Sequence, residues 1–177
     1  PLAAALVEAK TYFLNYVNPS DTAIACRQKF VIVITDGADT YACSGNGTDP
    51  GDGDESANPG MFKRRMLTVQ RAKELYDAGI KVFAVGFGGT ISERLKRTLN
   101  WVAKYGGTDN PLETNSGDPN AYNVTNYSSS GCSLTDTNGD PANYPLSGYA
   151  FLATDASGLG KAMETIGKYI QEKSYSF

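Results

Sequence analysis

Phe30-Val31-Ile32-Val33-Ile34-Thr35-Asp36-Gly37 is the stretch that decides the fold: five apolar residues in succession deliver one carboxylate onto a glycine. Val31, Ile32, Val33 and Ile34 are β-branched, and the run is continuous rather than alternating. That pattern suits a strand covered on both faces, as in a parallel sheet flanked by helices. A buried helix segment is the competing reading, but the run is short and stops at Gly37, which favours the strand. Ligands of open α/β sheets bind outside the carboxyl ends of the strands. Asp36 is therefore predicted to stand where such a fold does its work.

Working outward, Leu2, Ala5, Leu6, Ala9, Tyr12, Phe13, Tyr16 and Val17 recur at three- and four-residue steps, the stripe of an amphipathic helix that should stop near Asn18-Pro19. Downstream of Gly37, residues 38–60 form a glycine-rich acidic loop with Asp39, Asp49, Asp52, Asp54 and Glu55. A helix is predicted over 61–78, with Phe62, Met66, Val69, Ala72 and Tyr76 inward and Lys63, Arg64, Arg65, Arg71 and Lys73 mostly outward. Gly79 stops it. Ile80 to Phe87 reads as a second strand, so strand, helix and strand make a βαβ unit and hence a parallel sheet. The following Gly88-Gly89 lacks the spacing and the lysine of a phosphate loop.

Ile91, Leu95, Leu99 and Val102 mark a third helix, N-capped by Thr90 or Ser92. From 105 to 147 the periodicity gives way to Gly, Asn, Asp, Ser, Thr and Pro, read as a surface insertion or a binding lid. A short strand over 149–153 and a helix capped by Asp155, bearing Leu159, Met163, Ile166 and Ile170, complete the chain.

At 177 residues the chain is one domain by length, with loop insertions about 38–60 and 105–147. A net charge of −3, from 16 basic and 19 acidic residues, gives no basic face for nucleic acid. No run of 18 apolar residues suggests membrane insertion. The opening Pro1-Leu2-Ala3 lacks the basic region and cleavage site of a signal peptide, as would a mature or truncated chain. Histidine is absent, which removes the usual general base and the serine-type triad.

Of three cysteines, Cys26 and Cys43 bracket the first strand and are candidates for a disulfide, which would imply an oxidising compartment. Free buried thiols are the open alternative, and Cys132 would be left without a partner in this chain. Asp136, Asn138 and Asp140 place hard oxygens at alternate positions, like the start of a calcium loop. The glycine comes one position early and no glutamate stands at the twelfth place, so an ordinary Asn/Asp turn remains the other reading. Asn46-Gly47-Thr48, Asn123-Val124-Thr125 and Asn126-Tyr127-Ser128 match the glycosylation acceptor pattern, which Asn-rich loops also produce by chance.

The order helix, strand ending in Thr35-Asp36-Gly37, helix, strand ending in Gly86-Phe87-Gly88, helix, strand, helix resembles the C-terminal half of a von Willebrand factor type A domain. The resemblance implies an α/β, Rossmann-like fold whose first strands are missing from this chain. It also implies a metal-ion-dependent adhesion site for a divalent cation, Mg or Ca, atop the sheet. Of that site's three motifs, Asp-x-Ser-x-Ser, a threonine before a later helix, and Thr-Asp-Gly, only the aspartate is carried over, as Asp36. Pro1-Leu2-Ala3-Ala4-Ala5-Leu6 looks like the segment that follows the family's threonine, which would fall one position before Pro1.

The Tyr12-Phe13 helix, the Cys26-Arg27-Gln28-Lys29-Phe30-Val31 stretch and the Tyr149-Ala150-Phe151-Leu152-Ala153-Thr154-Asp155 ending look most like PilY-type proteins, the type IV pilus tip adhesins and assembly factors of bacteria. That implies an extracellular, pilus-associated location. Implied partners are the N-terminal segment or other polypeptide that completes the sheet, minor pilins, or a surface ligand.

Three function classes follow. The leading expectation is a non-catalytic adhesion or pilus-assembly module using Asp36. The alternative is a structural subunit of an extracellular filament or surface complex with a vestigial metal site. An enzyme working through the 38–60 carboxylates is the third, and it lacks a histidine or positioned nucleophile.

Overall fold

In the computed structural model the described residues are 2–23, 26–39, 43 and 61–174. Three parallel strands, β1 (Lys29–Thr35), β2 (Ile80–Phe87) and β5 (Phe151–Ala153), form a sheet in the order β1-β2-β5. β1 pairs with β2 over its whole length, from Lys29 opposite Ile80 to Thr35 opposite Gly86. β5 joins only the carboxyl end of β2, where Phe151 lies opposite Val85 and Ala153 opposite Phe87.

Helices cover both faces. α1 (Leu2–Tyr12), α3 (Met61–Asp77) and α4 (Glu93–Tyr105) lie on one side, and α5 (Ala156–Ser174) lies on the other. β2 alternates Val82 and Ala84 toward the first layer with Phe83 and Val85 toward α5, and all four are buried. Continuous apolar character with two-sided burial thus belongs to β2, the central strand. β1 has the same composition but lies at the edge of the sheet, and Ile34 remains 48 % exposed.

Local chemistry sets the helix ends. The Ser92 side chain accepts from the Leu95 N–H at 3.2 Å at the start of α4, and Asp155 accepts from Gly158 N–H at 2.8 Å at the start of α5. Gly79, after α3, takes a positive φ of 76°, a conformation that is easy only without a Cβ. The helical run that opens with α1 ends at Ser20, next to the expected Asn18-Pro19. It widens into a π turn (Phe13–Val17) and continues through α2 (Asn18–Ser20), with Pro19 in the last turn. The widening falls directly ahead of the residue that has no N–H to give.

Three expectations are corrected. Tyr12 and Tyr16 of the helical stripe point into solvent, because only Ala3 and Leu6 are fully buried against the rest of the structure. Lys63, Arg64 and Arg65 of α3 are buried rather than outward, whereas Tyr76 is 48 % exposed and Leu75 takes the inward place. Arg65 is covered by the 105–147 stretch, meeting Asp140 there, and that stretch is no loose polar insertion. It is a cover of four 3₁₀ turns (Val124–Asn126, Gly131–Ser133, Thr137–Gly139, Pro141–Asn143) and a two-stranded ribbon of β3 (Ser116–Gly117) with β4 (Leu146–Ser147). Tyr122, Val124, Leu134 and Leu146 carry it into the main core. Its aromatic centre stacks Tyr122 against Trp101, Tyr127 and Tyr144, with ring centroids 5.2–6.1 Å apart.

Candidate functional site

Asp36 leaves the carboxyl end of β1 on a turn that Thr35 shapes. The Thr35 hydroxyl donates to the Gly37 carbonyl at 2.6 Å and accepts from the Gly37 N–H at 3.2 Å, closing the backbone on itself just past the strand. The Asp36 side chain is thereby left exposed, and none of the described residues donates a hydrogen bond to its carboxylate. It lines a cleft of about 440 Å³ together with Ile34, Gly37, Phe87 and, from the start of α1, Leu2. The first turn of α1 and the turn after β1 therefore face one another across this cleft.

Three residues further on, Asp39 is buried, at 3 % exposure, and its Oδ2 accepts from the Ala3 N–H at 2.7 Å. Read as one acid of a surface loop, Asp39 is instead a tertiary cap for α1. A separation of 36 residues left no local signal for that pairing. Asp49, Asp52, Asp54 and Glu55, the other acids of the enzyme reading, lie outside the described residues.

A divalent cation takes six or more oxygen ligands, some of them water. Asp36 fits as one of these, being a hard, solvent-facing carboxylate at the open end of a parallel sheet. The described residues contain no group of three acid, Cys or His side chains placed to hold an ion. They supply one protein ligand rather than a site.

The calcium-loop candidates do not converge either. Asp136 uses its Oδ1 to accept the Asn138 N–H at 2.9 Å, an ordinary Asx turn. Asp140 turns inward and meets Arg65 with both oxygens, at 2.8 Å from Nε and 2.7 Å from Nη2, while Oδ1 also accepts the Ala142 N–H at 3.0 Å. Asn138 contributes its carbonyl to the Tyr144 hydroxyl. The three residues thus build the cover, and Asp140 neutralises one of the cations that the cover buries.

The disulfide expectation is corrected as well. Cys43 pairs with Cys132, their Cα atoms 5.2 Å apart, and Cys26 is an exposed free thiol. Cys26 precedes β1 and Cys43 follows it, and a seven-residue strand spans about 23 Å. Bridged cysteines need Cα atoms within about 7 Å, so residues that flank a whole strand are poor partners. The bond joins the segment after Asp36 to the cover across 89 residues of sequence.

The glycines at the carboxyl end of β2 serve packing. A Cβ on Gly86 would stand 2.9–3.0 Å from Leu99, Ile91 and Leu152, and Gly88 at φ 142° donates its N–H to the Ala153 carbonyl at 2.9 Å. Among the described residues no helix is long and apolar enough to cross a membrane. Comparison with family models, with curated proteins and with solved structures finds no match to this chain.

Proposed function

We propose that this chain is a non-catalytic adhesion or assembly module of the von Willebrand A type, in which a divalent cation held in part by Asp36 offers an open coordination position to an acidic ligand. The observation that carries this reading is the shared cleft of Leu2 and Asp36. A ligand group placed just ahead of α1 would stand across the cleft from the Asp36 carboxylate. On this reading the remaining ligands come from residues ahead of Pro1. The Cys43–Cys132 bond favours an oxidising compartment such as a bacterial surface.

The open edge of β1 supports a second part of the same proposal. Among the described residues no strand pairs with its outer side, and Ile34 of β1 remains exposed. A row of unpaired backbone groups beside exposed apolar residues is a template for another strand. The occupant we assign is a further strand, supplied by another polypeptide or by an N-terminal segment.

Equilibrium dialysis against Mn²⁺, using the protein with its residues ahead of Pro1, tests the reading. One ion should bind per molecule, and Asp36→Ala should weaken it at least about tenfold, as expected for a lost ligand. Equal affinity in the variant would discard the proposal. Amide exchange along β1 should be slow in the longer protein and fast in residues 1–177 alone, and equal rates would remove the added strand.

A further inference from the structure

α4 carries two stripes. Leu95, Leu99 and Val102 enter the core, while Glu93, Lys96, Arg97 and Asn100, spaced at helical intervals, share a second side. That second side faces the β3–β4 ribbon across a pocket of about 280 Å³. Its walls are tied in place by the fold itself. Asn100 is buried: its Nδ2 donates to the Lys96 carbonyl at 2.8 Å, and its Oδ1 accepts from the Tyr149 and Ala150 N–H groups at 2.8 and 3.0 Å. On the ribbon, Gly117 at φ 94° lies so close to the Pro145 carbonyl that a Cβ there would collide with it. The pocket is thus preformed, as small-ligand sites usually are.

The cations of α4 are unevenly matched. Lys96 is bonded to Glu93, Arg94 lies 3.8 Å from Asp140, and Lys104 stands over the Tyr105 ring at 4.0 Å. Arg97 is half-buried, and among the described residues no carboxylate forms an ion pair with it. Its Nη1 donates to the Ala142 carbonyl at 3.0 Å, which fixes the guanidinium at the pocket and leaves its other N–H donors available. A planar donor fork of this kind matches a carboxylate. Beside it the pocket wall turns apolar, with Leu146 and Leu152. We propose that this pocket binds the C-terminal residue of a peptide, its free carboxylate on Arg97 and Lys96 and its aliphatic side chain on Leu146 and Leu152. The Ser116 and Ser147 hydroxyls, also in the lining, suit the peptide's last amide. The volume is at the low end for ligand sites, which fits one residue rather than a longer segment. No lining residue is shared with the Asp36 cleft, so the assignment stands apart from the function proposed above.

The test titrates isotope-labelled residues 1–177 with N-acetyl-leucine and follows the backbone amide shifts. Saturable shifts should appear over 93–100, 116–117 and 145–147, with a Kd on the order of 1 mM. N-acetyl-leucinamide lacks the carboxylate and acetate lacks the aliphatic group, and each should bind at least about tenfold more weakly. Arg97→Gln should weaken N-acetyl-leucine about tenfold and leave N-acetyl-leucinamide unchanged. The Lys96 side chain is 38 % exposed, so Lys96→Gln removes its charge with little effect on packing and should cost about threefold. Absence of saturable shifts overturns the proposal, and so does equal affinity for the acid and its amide. Acetate binding as tightly as N-acetyl-leucine would leave an adventitious anion site only and overturns it too. Parent-like affinity in Arg97→Gln is equally fatal. Should that variant fail to fold, parent-like affinity in Lys96→Gln is the overturning result.

Discussion

Arg65 and Asp140 lie side by side as a two-bond pair, Nε to Oδ1 at 2.8 Å and Nη2 to Oδ2 at 2.7 Å, with both side chains only 4 % exposed. The pair bolts α3 to the cover, two parts of the chain that periodicity treats as unrelated. Burial withdraws both charges from water, so removing one strips the other of its two-bond partner, with Arg94 at 3.8 Å the weaker second cation beside Asp140. Asp140→Ala should therefore lower the unfolding free energy by about 3–5 kcal/mol in urea denaturation. Adding Arg65→Met should recover part of that loss, since the buried cation that lost its bidentate carboxylate is removed with it. A loss under about 1 kcal/mol would place the pair in solvent instead. Calcium titration should give the same heats for the parent and for Asp140→Ala.

The two sulfur environments predict opposite sensitivities. Cutting the Cys43–Cys132 bond by a double serine substitution releases a closed loop of some ninety residues and should cost roughly 2–5 kcal/mol. Cys26→Ser, at an exposed position, should stay within about 0.5 kcal/mol of the parent. Urea midpoints under oxidising and reducing conditions separate the two. A reductant that leaves the midpoint unchanged would contradict the assigned pairing.

The tyrosine cluster of the cover sets a limit at high pH. Burial pushes the Tyr122 phenol far above its usual value near 10, with Tyr105 and Asp140 nearby adding to the effect. Tyr105, Tyr127 and Tyr149 are also raised, in each case chiefly by loss of water. The unfolded chain ionises these phenols near pH 10 while the folded chain keeps them protonated. The stabilisation is thus complete below pH 10 and is lost as pH rises beyond it. Titration followed at 295 nm should show Tyr122 ionising only together with unfolding. Tyr122→Phe should push the alkaline transition upward, although it forfeits the hydrogen bond to the Gly139 carbonyl and about 1 kcal/mol of neutral-pH stability. An unchanged alkaline midpoint in that variant would refute the assignment.

Much of the scaffold was legible because local rules act over short distances. The β2 bounds, the α3 start at Met61, and the Ser92 and Asp155 caps all follow from apolar period and capping chemistry within one segment. The misread parts share long-range causes. Nothing near Arg65 announces that Asp140, 75 residues on, will pair with it. Tyr122, Val124, Leu134 and Leu146 are spaced too irregularly to register as an element, yet they are core. At the site, Asp36 was visible through its strand and glycine, whereas the capping task of Asp39 depends on a contact that only folding creates.

The disulfide gives the molecule a definite load path. Asp36 is followed seven residues later by Cys43, and Cys43 is bonded to Cys132 in the cover. Tension applied to a ligand held at Asp36 therefore reaches the cover along a short covalent tether. It does not depend on the noncovalent packing between α3 and the sheet. On the proposed function, a pull at Asp36 would be shared between β1, which ends one residue earlier at Thr35, and this tether.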